Sequence, residues 1–433
     1  MTTKRIAFHT LGCKLNFAET SGMARDFETE YEVVDFRDTA DYYVVQSCAV
    51  TAVAEKKCRA AIRQAHRRNP HASVIVLGCM SQLKAEELVS MDGVSMVIGN
   101  SDKHKLKDFL SDGSLDAIDK VAVSNILKTK KFQSAFSGSD RTRSFVKIQD
   151  GCDYFCSFCT IPFARGRSRS NSVMETMQLI NRVVNEAPRE IILTGVNIGD
   201  FGKPGSETLF DLLNEIELSD MNTRIRLSSI EPDLLTEEII GLVAASKKLM
   251  PHFHIPLQSG SDSVLERMNR KYNTKLFTNR VNAIKRQLPH ACIAADLIVG
   301  FPGETESEFL QTFELIKSLP LSYLHVFPYS ERPGTRAAGF TGKLKPETIR
   351  TRTAMLSSLS QEKKSAFLLE NQGRTEEVLF ESENSEGFIS GFTRNYIRVK
   401  APFNYEFVNC VLKTKLVHID SDDTFIYTAD HIE

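Results

Sequence analysis

The sequence predicts an α/β protein with a parallel sheet at its amino end, a partial (β/α)6 barrel in its middle and a small antiparallel β-barrel at its carboxyl end. Three observations predict this division. The length of 433 residues corresponds to three domains of roughly 150 residues each. β-branched segments alternate with helical patterns over most of the chain. After residue 371 the helical patterns stop, and short alternating strands remain.

The composition excludes several classes of protein. With 42% hydrophobic and 25% charged residues, the chain is neither a disordered protein nor a disulfide-rich secreted one. Lys and Arg number 54 against 55 Asp and Glu, so only local clusters could attract nucleic acid. The sequence has no signal-peptide pattern and no apolar run of membrane-spanning length, and we expect a cytoplasmic protein without a membrane partner. Because that compartment is reducing, the nine cysteines indicate metal ligands, a nucleophile or small buried residues.

The amino-terminal part has the pattern of βαβ units. The strand candidates are RIAFHT, DYYVVQ and SVIVLG, and helical patterns occupy residues 55–68 and 83–90. This order predicts a Rossmann-like parallel sheet. Residues 111–143 lose periodicity and are rich in Ser, Gly and Lys, as in a linker. We therefore place the first domain at 1–138, with a boundary near Ser139.

The middle and the carboxyl-terminal parts follow different patterns. Six strand candidates with helical segments between them predict a partial (β/α)6 barrel over 139–370: RSFVKIQ, EIILTG, RIRLSS, HFHIPL, CIAADLIVG and YLHVFPY. In such barrels the chemistry collects at the carboxyl ends of the strands. A long helical pattern over 346–371 precedes Gly373, and residues 371–433 then predict the small β-barrel.

Three cysteines form the densest chemical signal. Cys152, Cys156 and Cys159 lie in GCDYFCSFC, directly after the first barrel strand, with C-x3-C-x2-C spacing. Their thiolates can converge on one inorganic centre. A structural zinc site would need a fourth ligand, and no nearby His or Cys supplies it. An iron–sulfur cubane held by three thiolates instead keeps one iron free for an exogenous ligand, which is a catalytic arrangement.

A second set of cysteines is dispersed in sequence but similar in setting. Cys13, Cys48 and Cys79 each follow a strand candidate. Because the ends of parallel strands lie side by side, these three thiols could meet at one rim of the sheet and hold another cluster. The alternative interpretation is three separate buried cysteines at tight turns. We interpret the remaining cysteines, at 58, 292 and 410, as packing residues.

The cysteine loop, with aromatic Phe158 before its third cysteine, resembles the signature of the radical S-adenosylmethionine (SAM) superfamily. The combination of both cysteine sets with the barrel and the carboxyl-terminal strands resembles the methylthiotransferase family over essentially the whole chain. Within that family, TLGCKLN and IQDGCDYFCSFCTIPFARGRSRS look most like the tRNA threonylcarbamoyladenosine branch. GFTRNYIRV is similar to the RNA-binding TRAM module of these enzymes. One departure is Gln46–Ser47, where relatives usually carry Asn-Thr.

The resemblance implies two [4Fe-4S] clusters, an auxiliary one on Cys13, Cys48 and Cys79 and a radical-generating one on Cys152, Cys156 and Cys159. It implies SAM as both methyl donor and radical source, a low-potential electron donor, and a tRNA anticodon stem-loop as partner. The implied reaction converts N6-threonylcarbamoyladenosine at tRNA position 37 to its 2-methylthio derivative. Adenosine C2 carries an unactivated C–H bond, so a cofactor has to carry the hard step. By family analogy, one SAM methylates a cluster sulfur and a second yields the radical that takes the hydrogen.

Other functions stay open from the cysteines alone. The same chemistry on isopentenyladenosine or on a ribosomal protein would use the same residues. A protein of another class, a non-catalytic iron–sulfur or zinc protein that binds RNA, would use the cysteines structurally. Cleavage of SAM separates the enzymes from the binding protein.

Polar and glycine residues at the ends of the barrel strands are candidates for SAM binding. They are Gly195, Asn197, Ser229, Glu231, Gln258 and Gly300. Asp296 is a further candidate, because it is a carboxylate on an otherwise apolar strand, where a buried charge without a role is uncommon. Glycines allow close backbone approach, and short polar side chains suit a ribose or a methionine carboxylate. The alternative roles of these residues are strand-end turns and helix caps.

The substrate candidates are Arg165, Tyr329 and Arg332. A threonylcarbamoyl group ends in a carboxylate, which Arg binds bidentately, so Arg332 or Arg165 is our hypothesis for the residue that reads it. Basic residues within 56–68, alternating arginines at 165–169, and Phe392 with Tyr396 are candidates for contacts to RNA. The alternative for residues 56–68 is a solvated helix face.

Overall fold

The amino-terminal sheet contains six parallel strands. The computed structural model of the protein describes residues 3–111, 120–138 and 142–426. In chain order the first elements are β1 (Arg5–Thr10), α1 (Lys14–Phe27), β2 (Glu32–Val34), β3 (Tyr42–Ser47), α2 (Ala52–Arg68), β4 (Ser73–Gly78), α3 (Cys79–Leu83), α4 (Ala85–Val89), β5 (Val94–Ile98), α5 (Leu106–Ser111) and β6 (Val121–Ala122). Their order in the sheet is β2-β1-β3-β4-β5-β6.

The pattern of burial explains why these segments form strands. Every residue of β3 is buried, as expected for the interior strand of a parallel sheet that is covered on both faces. One apolar cluster contains Val45 and Ile62, and a second, on the other face, contains Val44 and Leu106. The predicted Rossmann-like sheet is therefore present.

The central elements alternate strand and helix. They are β7 (Ala135–Phe136), β8 (Arg143–Lys147), β9 (Gln149–Asp150), α6 (Ile161–Arg165), β10 (Arg169–Ser170), α7 (Val173–Val184), β11 (Glu190–Thr194), α8 (Leu209–Leu218), β12 (Arg224–Leu227), α9 (Glu237–Ala245), β13 (His252–His254), α10 (Asp262–Arg267), α11 (Thr274–Gln287), β14 (Cys292–Val299), α12 (Glu306–Ser318), β15 (Tyr323–Pro328) and α13 (Pro346–Asn371). Ser172, Thr208 and Thr305 begin three of the helices with capping boxes, which satisfy otherwise free backbone N–H groups.

Six parallel strands form the predicted partial barrel. β8, β11 and β12 pair in one sheet, and β13, β14 and β15 pair in another. Isolated parallel bridges, Ile225 to Leu249 and Ser229 to His254, connect the two sheets. The largest apolar cluster lies between these strands and their helices. It includes Ile191 and Leu193 of β11 but not Ile192, which lies between them. Alternate residues of each strand consequently face the lumen of the barrel.

The carboxyl-terminal part is a curled sheet of β16 (Thr375–Ser385), β17 (Phe388–Thr393), β18 (Arg398–Pro402), β19 (Val411–Lys415), β20 (His418–Ile419) and β21 (Phe425–Ile426). The sequence predicted an antiparallel barrel, but the sheet is mixed, because β18 pairs in parallel with β21. Arg226 Nη1 donates to the Arg394 carbonyl at 3.2 Å, and Arg224 pairs with Glu377 at the same distance. This sheet therefore packs on the amino end of the barrel.

Two expectations from the sequence need correction. Part of the expected linker is structured, because β6 pairs with β5 and β7 pairs antiparallel with β8. The proposed boundary at Ser139 lies outside the described residues. Cys410 precedes β19 instead of lying within a strand, whereas Cys58 and Cys292 belong to apolar clusters as expected.

Candidate active site

The loop between β9 and α6 carries Cys152, Cys156 and Cys159. Their sulfur atoms accept hydrogen bonds: Tyr154 N lies 3.5 Å from Cys152 Sγ, Ile161 N lies 3.4 Å from Cys159 Sγ, and Arg270 Nη1 lies 3.0 Å from Cys156 Sγ. Burial raises the pKa of the Cys159 thiol to about 12. Donors and a guanidinium at the sulfurs stabilise thiolates, so this loop fits an iron–sulfur cluster.

Cys13, Cys48 and Cys79 come together at the carboxyl edge of the amino-terminal sheet. Cys13 precedes α1, Cys48 follows β3 and Cys79 begins α3. Cys13 and Cys79 both act electrostatically on the Cys48 thiol. Gly12 has φ +100°, and a Cβ there would lie 2.8 Å from Cys48 Sγ, so only glycine allows this approach. Asn100 Nδ2 lies 3.6 Å from Cys79 Sγ. Ser47, part of the departure from relatives, accepts a hydrogen bond from the backbone N–H of Met80.

A buried network of charges lies beside these cysteines. It consists of the cations Lys103, Lys147, Arg165 and Arg169 and the carboxylates Glu19 and Asp150, and all six side chains are buried. Four cations face two carboxylates. The Arg165 guanidinium interacts electrostatically with both Cys13 and Cys79. Because unbalanced buried charge is costly, the excess of positive charge fits an anionic cluster on these thiolates.

Asn197 and Gly195 follow β11, as the sequence predicted. The Asn197 side chain is 3% exposed, and within the described residues neither its Nδ2 nor its Oδ1 has a hydrogen-bond partner. A Cβ on Gly195 would lie 2.9 Å from Gln149 Oε1, an atom that also accepts the backbone N–H of Asn197 at 2.9 Å. A buried amide without partners indicates a missing polar ligand.

The predicted residues of this part of the barrel are Asp296 on β14, Gly300 after β14 and Gln258 after β13. Asp296 accepts a hydrogen bond from His254 Nε2 at 2.8 Å, and ligand atoms of Asp296, His254 and His325 all lie within 4.8 Å of one another. Gln258 has φ +67°, a strained conformation for a residue with a side chain, and its N–H donates to the Asp296 carbonyl. Gly300 donates its N–H to Glu304 Oε2 at 3.0 Å.

Ser229 and Glu231 follow β12. Ser229 forms the backbone bridge to His254. Glu231 pairs with Arg270, the residue that also donates to Cys156. Burial raises the pKa of the Glu231 carboxyl, Arg270 opposes this, and nearby Asp233 adds to the rise. Arg270 was not among the sequence candidates, because it lies in the turn after a helix, where no strand end marks it.

Neither of the two arginines suggested for the substrate has a free guanidinium. Arg165 is 1% exposed and donates to Asp150 at 2.9 Å and to Glu19 at 3.2 Å. Arg332 is buried and pairs with Glu55. A substrate carboxylate would have to displace a protein carboxylate at either position. Tyr329 is half-buried against Phe301, and its hydroxyl lacks a partner among the described residues.

The candidate contacts to RNA separate into exposed and buried groups. On α2, Lys56 and Arg63 are exposed, whereas Arg59 pairs with Glu87. Arg169 is buried in the charge network, and Arg167 is exposed. The aromatic pair Phe392 and Tyr396 stacks at 4.7 Å and faces the barrel arginines at 143 and 226, not open solvent.

Comparisons with known proteins agree with this architecture. Residues 5–99 match the uncharacterized protein family UPF0004, and residues 146–316 match the radical SAM superfamily. The threonylcarbamoyladenosine tRNA methylthiotransferase MtaB of Bacillus subtilis (strain 168) is 38% identical, over 95% of this chain and 93% of that protein. The tRNA-2-methylthio-N(6)-dimethylallyladenosine synthase of Clostridium botulinum (strain Loch Maree / Type A3) is 30% identical, over 98% and 96%.

A solved structure supports the fold. The radical SAM methyltransferase TsrM from Kitasatospora setae, with cobalamin and a [4Fe-4S] cluster bound, superposes with a TM-score of 0.57 at 14% identity, over 78% of this chain and 77% of that one. Within the described residues, no helix is long and apolar enough to cross a membrane. The chain has both cysteine sets and the barrel, and the two methylthio-transferring relatives match it over more than nine-tenths of their length. This chain therefore belongs to the radical SAM methylthiotransferase family.

Proposed function

We propose that this enzyme converts N6-threonylcarbamoyladenosine at position 37 of tRNA to its 2-methylthio derivative, in the cytoplasm. One observation carries the proposal: the two cysteine sets lie at opposite ends of α6. The N–H of Ile161, at the start of this helix, donates to Cys159 Sγ. The carbonyl of Ala164, at its end, accepts from Asn100 Nδ2, which also contacts Cys79. Five residues of helix span about 7.5 Å, so one base can lie between the two sets.

The family uses SAM and [4Fe-4S] clusters, and these groups supply the radical that cleaves a C–H bond and the sulfur that replaces the hydrogen. The residues of this chain bind and orient. Cys152, Cys156 and Cys159 would hold one cluster, with Arg270 at the sulfur of Cys156. The unpartnered amide of Asn197 supports a polar contact to SAM. The predicted contacts at Ser229, Glu231, Gln258, Asp296 and Gly300 are part of this proposal.

The organisation of the chain and its partners belong to the same proposal. We retain domains at 1–138, 139–370 and 371–433, the last as a TRAM-like module. The partners are the anticodon stem-loop of tRNA and a low-potential electron donor. The relative that acts on dimethylallyladenosine is 30% identical, against 38% for the threonylcarbamoyladenosine enzyme, which favours the latter substrate.

The test is anaerobic reconstitution, followed by iron and sulfide counts and an assay with dithionite and SAM. The substrates are anticodon stem-loops that carry either threonylcarbamoyladenosine or isopentenyladenosine, with products identified by mass spectrometry. About eight irons and methylthio transfer to the threonylcarbamoyl substrate alone support the proposal. Transfer to isopentenyladenosine alone would reject the substrate. About four irons, with SAM cleaved and nothing methylthiolated, would reject the reaction.

A further inference from the structure

Three side chains of the barrel bring the donor atoms of a metal site together. They are His254 on β13, Asp296 on β14 and His325 on β15, and these strands are neighbours in one sheet. One ligand atom from each residue lies within 4.8 Å of the other two. Within this group, His254 Nε2 lies 2.8 Å from Asp296 Oδ1. Two imidazoles and a carboxylate from separate strands therefore converge on one point.

The register of the sheet explains this convergence. Asp296 pairs with His325, and His254 pairs with Ala294, two residues before Asp296. Side chains two residues apart on a strand point to the same face of the sheet. The alternate residues of the three strands belong to the apolar cluster on the helix side, and they include Phe253, Ala295 and Leu324. The two histidines and the aspartate consequently share the opposite face.

The His325 imidazole is held by aromatic neighbours and is open to solvent. Its ring centroid lies 5.3 Å from that of Tyr323, edge to face, and 6.4 Å from that of Phe327, in a stacked arrangement. The side chain of His325 is exposed, and those of His254 and Asp296 are 25% and 22% exposed. An ion from solution can therefore reach all three side chains without any opening of the fold.

The donor set favours zinc or iron over magnesium or calcium. Imidazole nitrogen suits the former two ions, whereas the latter two prefer oxygen ligands. Bonds from zinc to nitrogen or oxygen are about 2.0–2.2 Å long, so two ligand atoms of a tetrahedral zinc lie about 3.4 Å apart. Small side-chain rotations bring atoms that lie within 4.8 Å of one another to that separation. Three protein ligands leave the fourth position to water or another oxygen donor, as in catalytic zinc sites.

A third histidine on the same face gives an independent indication. His252 precedes His254 by two residues on β13, and it is 7% exposed. Neither of its ring nitrogens has a hydrogen-bond partner in the part of the chain that the structure describes. Because buried polar atoms are normally hydrogen-bonded, these nitrogens point to a polar ligand on this face, such as water bound to a metal ion.

We infer that His254, Asp296 and His325 bind one divalent metal ion, Zn²⁺ or Fe²⁺, at a site separate from the two cysteine sets. The inference goes beyond the proposed function and does not depend on it, because neither SAM nor RNA takes part in binding the ion. A carboxylate has two oxygens, so a metal on Oδ1 of Asp296 does not exclude the contact of this residue with SAM.

The test measures zinc binding by the enzyme with its clusters reconstituted. The anaerobic protein is dialysed against EDTA to remove loosely bound metal and then against buffered Zn²⁺. Mass spectrometry of the elements counts the zinc, and X-ray absorption at the zinc edge identifies its ligands. We expect one zinc per chain, with nitrogen and oxygen ligands and no sulfur.

His325→Gln is the variant that tests the ligands, because His325 is not among the predicted contacts to SAM. It should weaken zinc binding about 100-fold or more, since loss of a residue that only orients a metal ligand already costs about 10- to 100-fold. His418→Gln, at an exposed histidine of β20, is the matched control and should bind zinc as the wild type does. Asp296→Asn should also lose the zinc.

A wild type that binds no zinc at micromolar free Zn²⁺ overturns the inference. Sulfur ligands at the zinc overturn it as well, because cysteines then hold the ion, and so does an unchanged zinc affinity in His325→Gln. Unfolding temperature and iron content show whether this variant is folded, and if it is not, the ligands identified in the wild type decide the matter. Asp296→Asn that keeps its zinc and binds SAM more weakly would assign Asp296 to SAM alone.

Discussion

The carboxylate of Glu19 lies 2.7 Å from the ammonium of Lys147, and the two side chains are 4% and 2% exposed. Glu19 belongs to α1, beside the amino-terminal sheet, and Lys147 ends the first barrel strand. The same carboxylate binds Lys103 at 2.6 Å and Arg165 at 3.2 Å. One anion therefore joins the two parts that carry the cysteine sets.

Glu19→Gln should destabilise the protein strongly. The change leaves three cations buried with less compensating charge, and breaking such a pair typically costs about 3–5 kcal/mol. Glu32→Gln is the matched control, because Glu32 forms an exposed pair with Arg5 at 3.6 Å, worth less than about 1 kcal/mol. Urea unfolding of both variants measures the difference, and equal stabilities would contradict the role of Glu19.

Gly300→Ala should destabilise the end of β14. Gly300 has φ +79°, and an added Cβ would lie 2.5 Å from Ile349 Cγ1. The backbone conformation alone costs about 1–2 kcal/mol for alanine, and the clash adds to it. Gly339→Ala is the control, since no atom lies within 4 Å of its added Cβ. Thermal unfolding should show a lower unfolding temperature for Gly300→Ala and an unchanged one for Gly339→Ala.

Glu308→Gln should give a stability difference that depends on pH. Hydrogen bonds from Arg267 lower the pKa of the Glu308 carboxyl to about 2, from its ordinary value of 4.5. The carboxylate therefore stabilises the fold above pH 4.5, and this contribution is lost as the pH falls towards 2. Glutamine keeps the capping box, so we expect a loss of about 1–2 kcal/mol at pH 7.

Urea unfolding at pH 7 and pH 3 checks this prediction. The difference between wild type and Glu308→Gln should shrink at the lower pH. Glu266→Gln serves as control, because Glu266 is exposed and has no ion pair among the described residues. A difference that is the same at both pH values would show that the charge of Glu308 contributes nothing.

Removal of one cysteine from either set should remove one cluster. We expect Cys156→Ala and Cys79→Ala each to keep about four irons after reconstitution, against about eight in the wild type. Cys410→Ala should keep all of them, since Cys410 lies outside both sets. Iron and sulfide analysis counts the clusters in each variant. Electron paramagnetic resonance then shows which of the two clusters remains. Unchanged iron in Cys79→Ala would exclude an auxiliary cluster there.

Neutralising α2 should reduce the salt dependence of RNA binding. Lys56 and Arg63 are seven residues apart, hence on one helix face, and both are exposed. Each phosphate contact contributes about 0.9 to the slope of log K against log salt on a duplex. The double variant Lys56→Gln, Arg63→Gln should lower that slope by about 2 in a filter-binding titration. The control is Lys275→Gln, at an exposed lysine of α11, which should leave the slope unchanged. An unchanged slope would mean that this face of α2 is solvated and does not contact the RNA.

Much of the fold could be predicted from the sequence. The strands RIAFHT and SVIVLG match β1 and β4, and the helix predicted over 346–371 matches α13 residue for residue. The regular spacing of apolar residues along each of these segments carries this information. β6 and β7 escaped prediction, because two-residue strands have no period and form only through their pairing with β5 and β8.

The candidate site was predictable where residues follow strands and not where contacts are between distant segments. Asn197 follows β11 as predicted, and Asp296 lies within β14 as predicted. The pairing of Arg165 with Glu19 joins residues 146 positions apart, and no local pattern marks it.

The sheet at the carboxyl end has a consequence for any shortening of the chain. Its carbonyl and carboxylate oxygens bind Arg143 of β8 and Arg224 and Arg226 of β12. A chain cut before β16 would leave these three guanidinium groups without those partners. The sheet therefore contributes to the stability of the barrel and is not a detachable appendage.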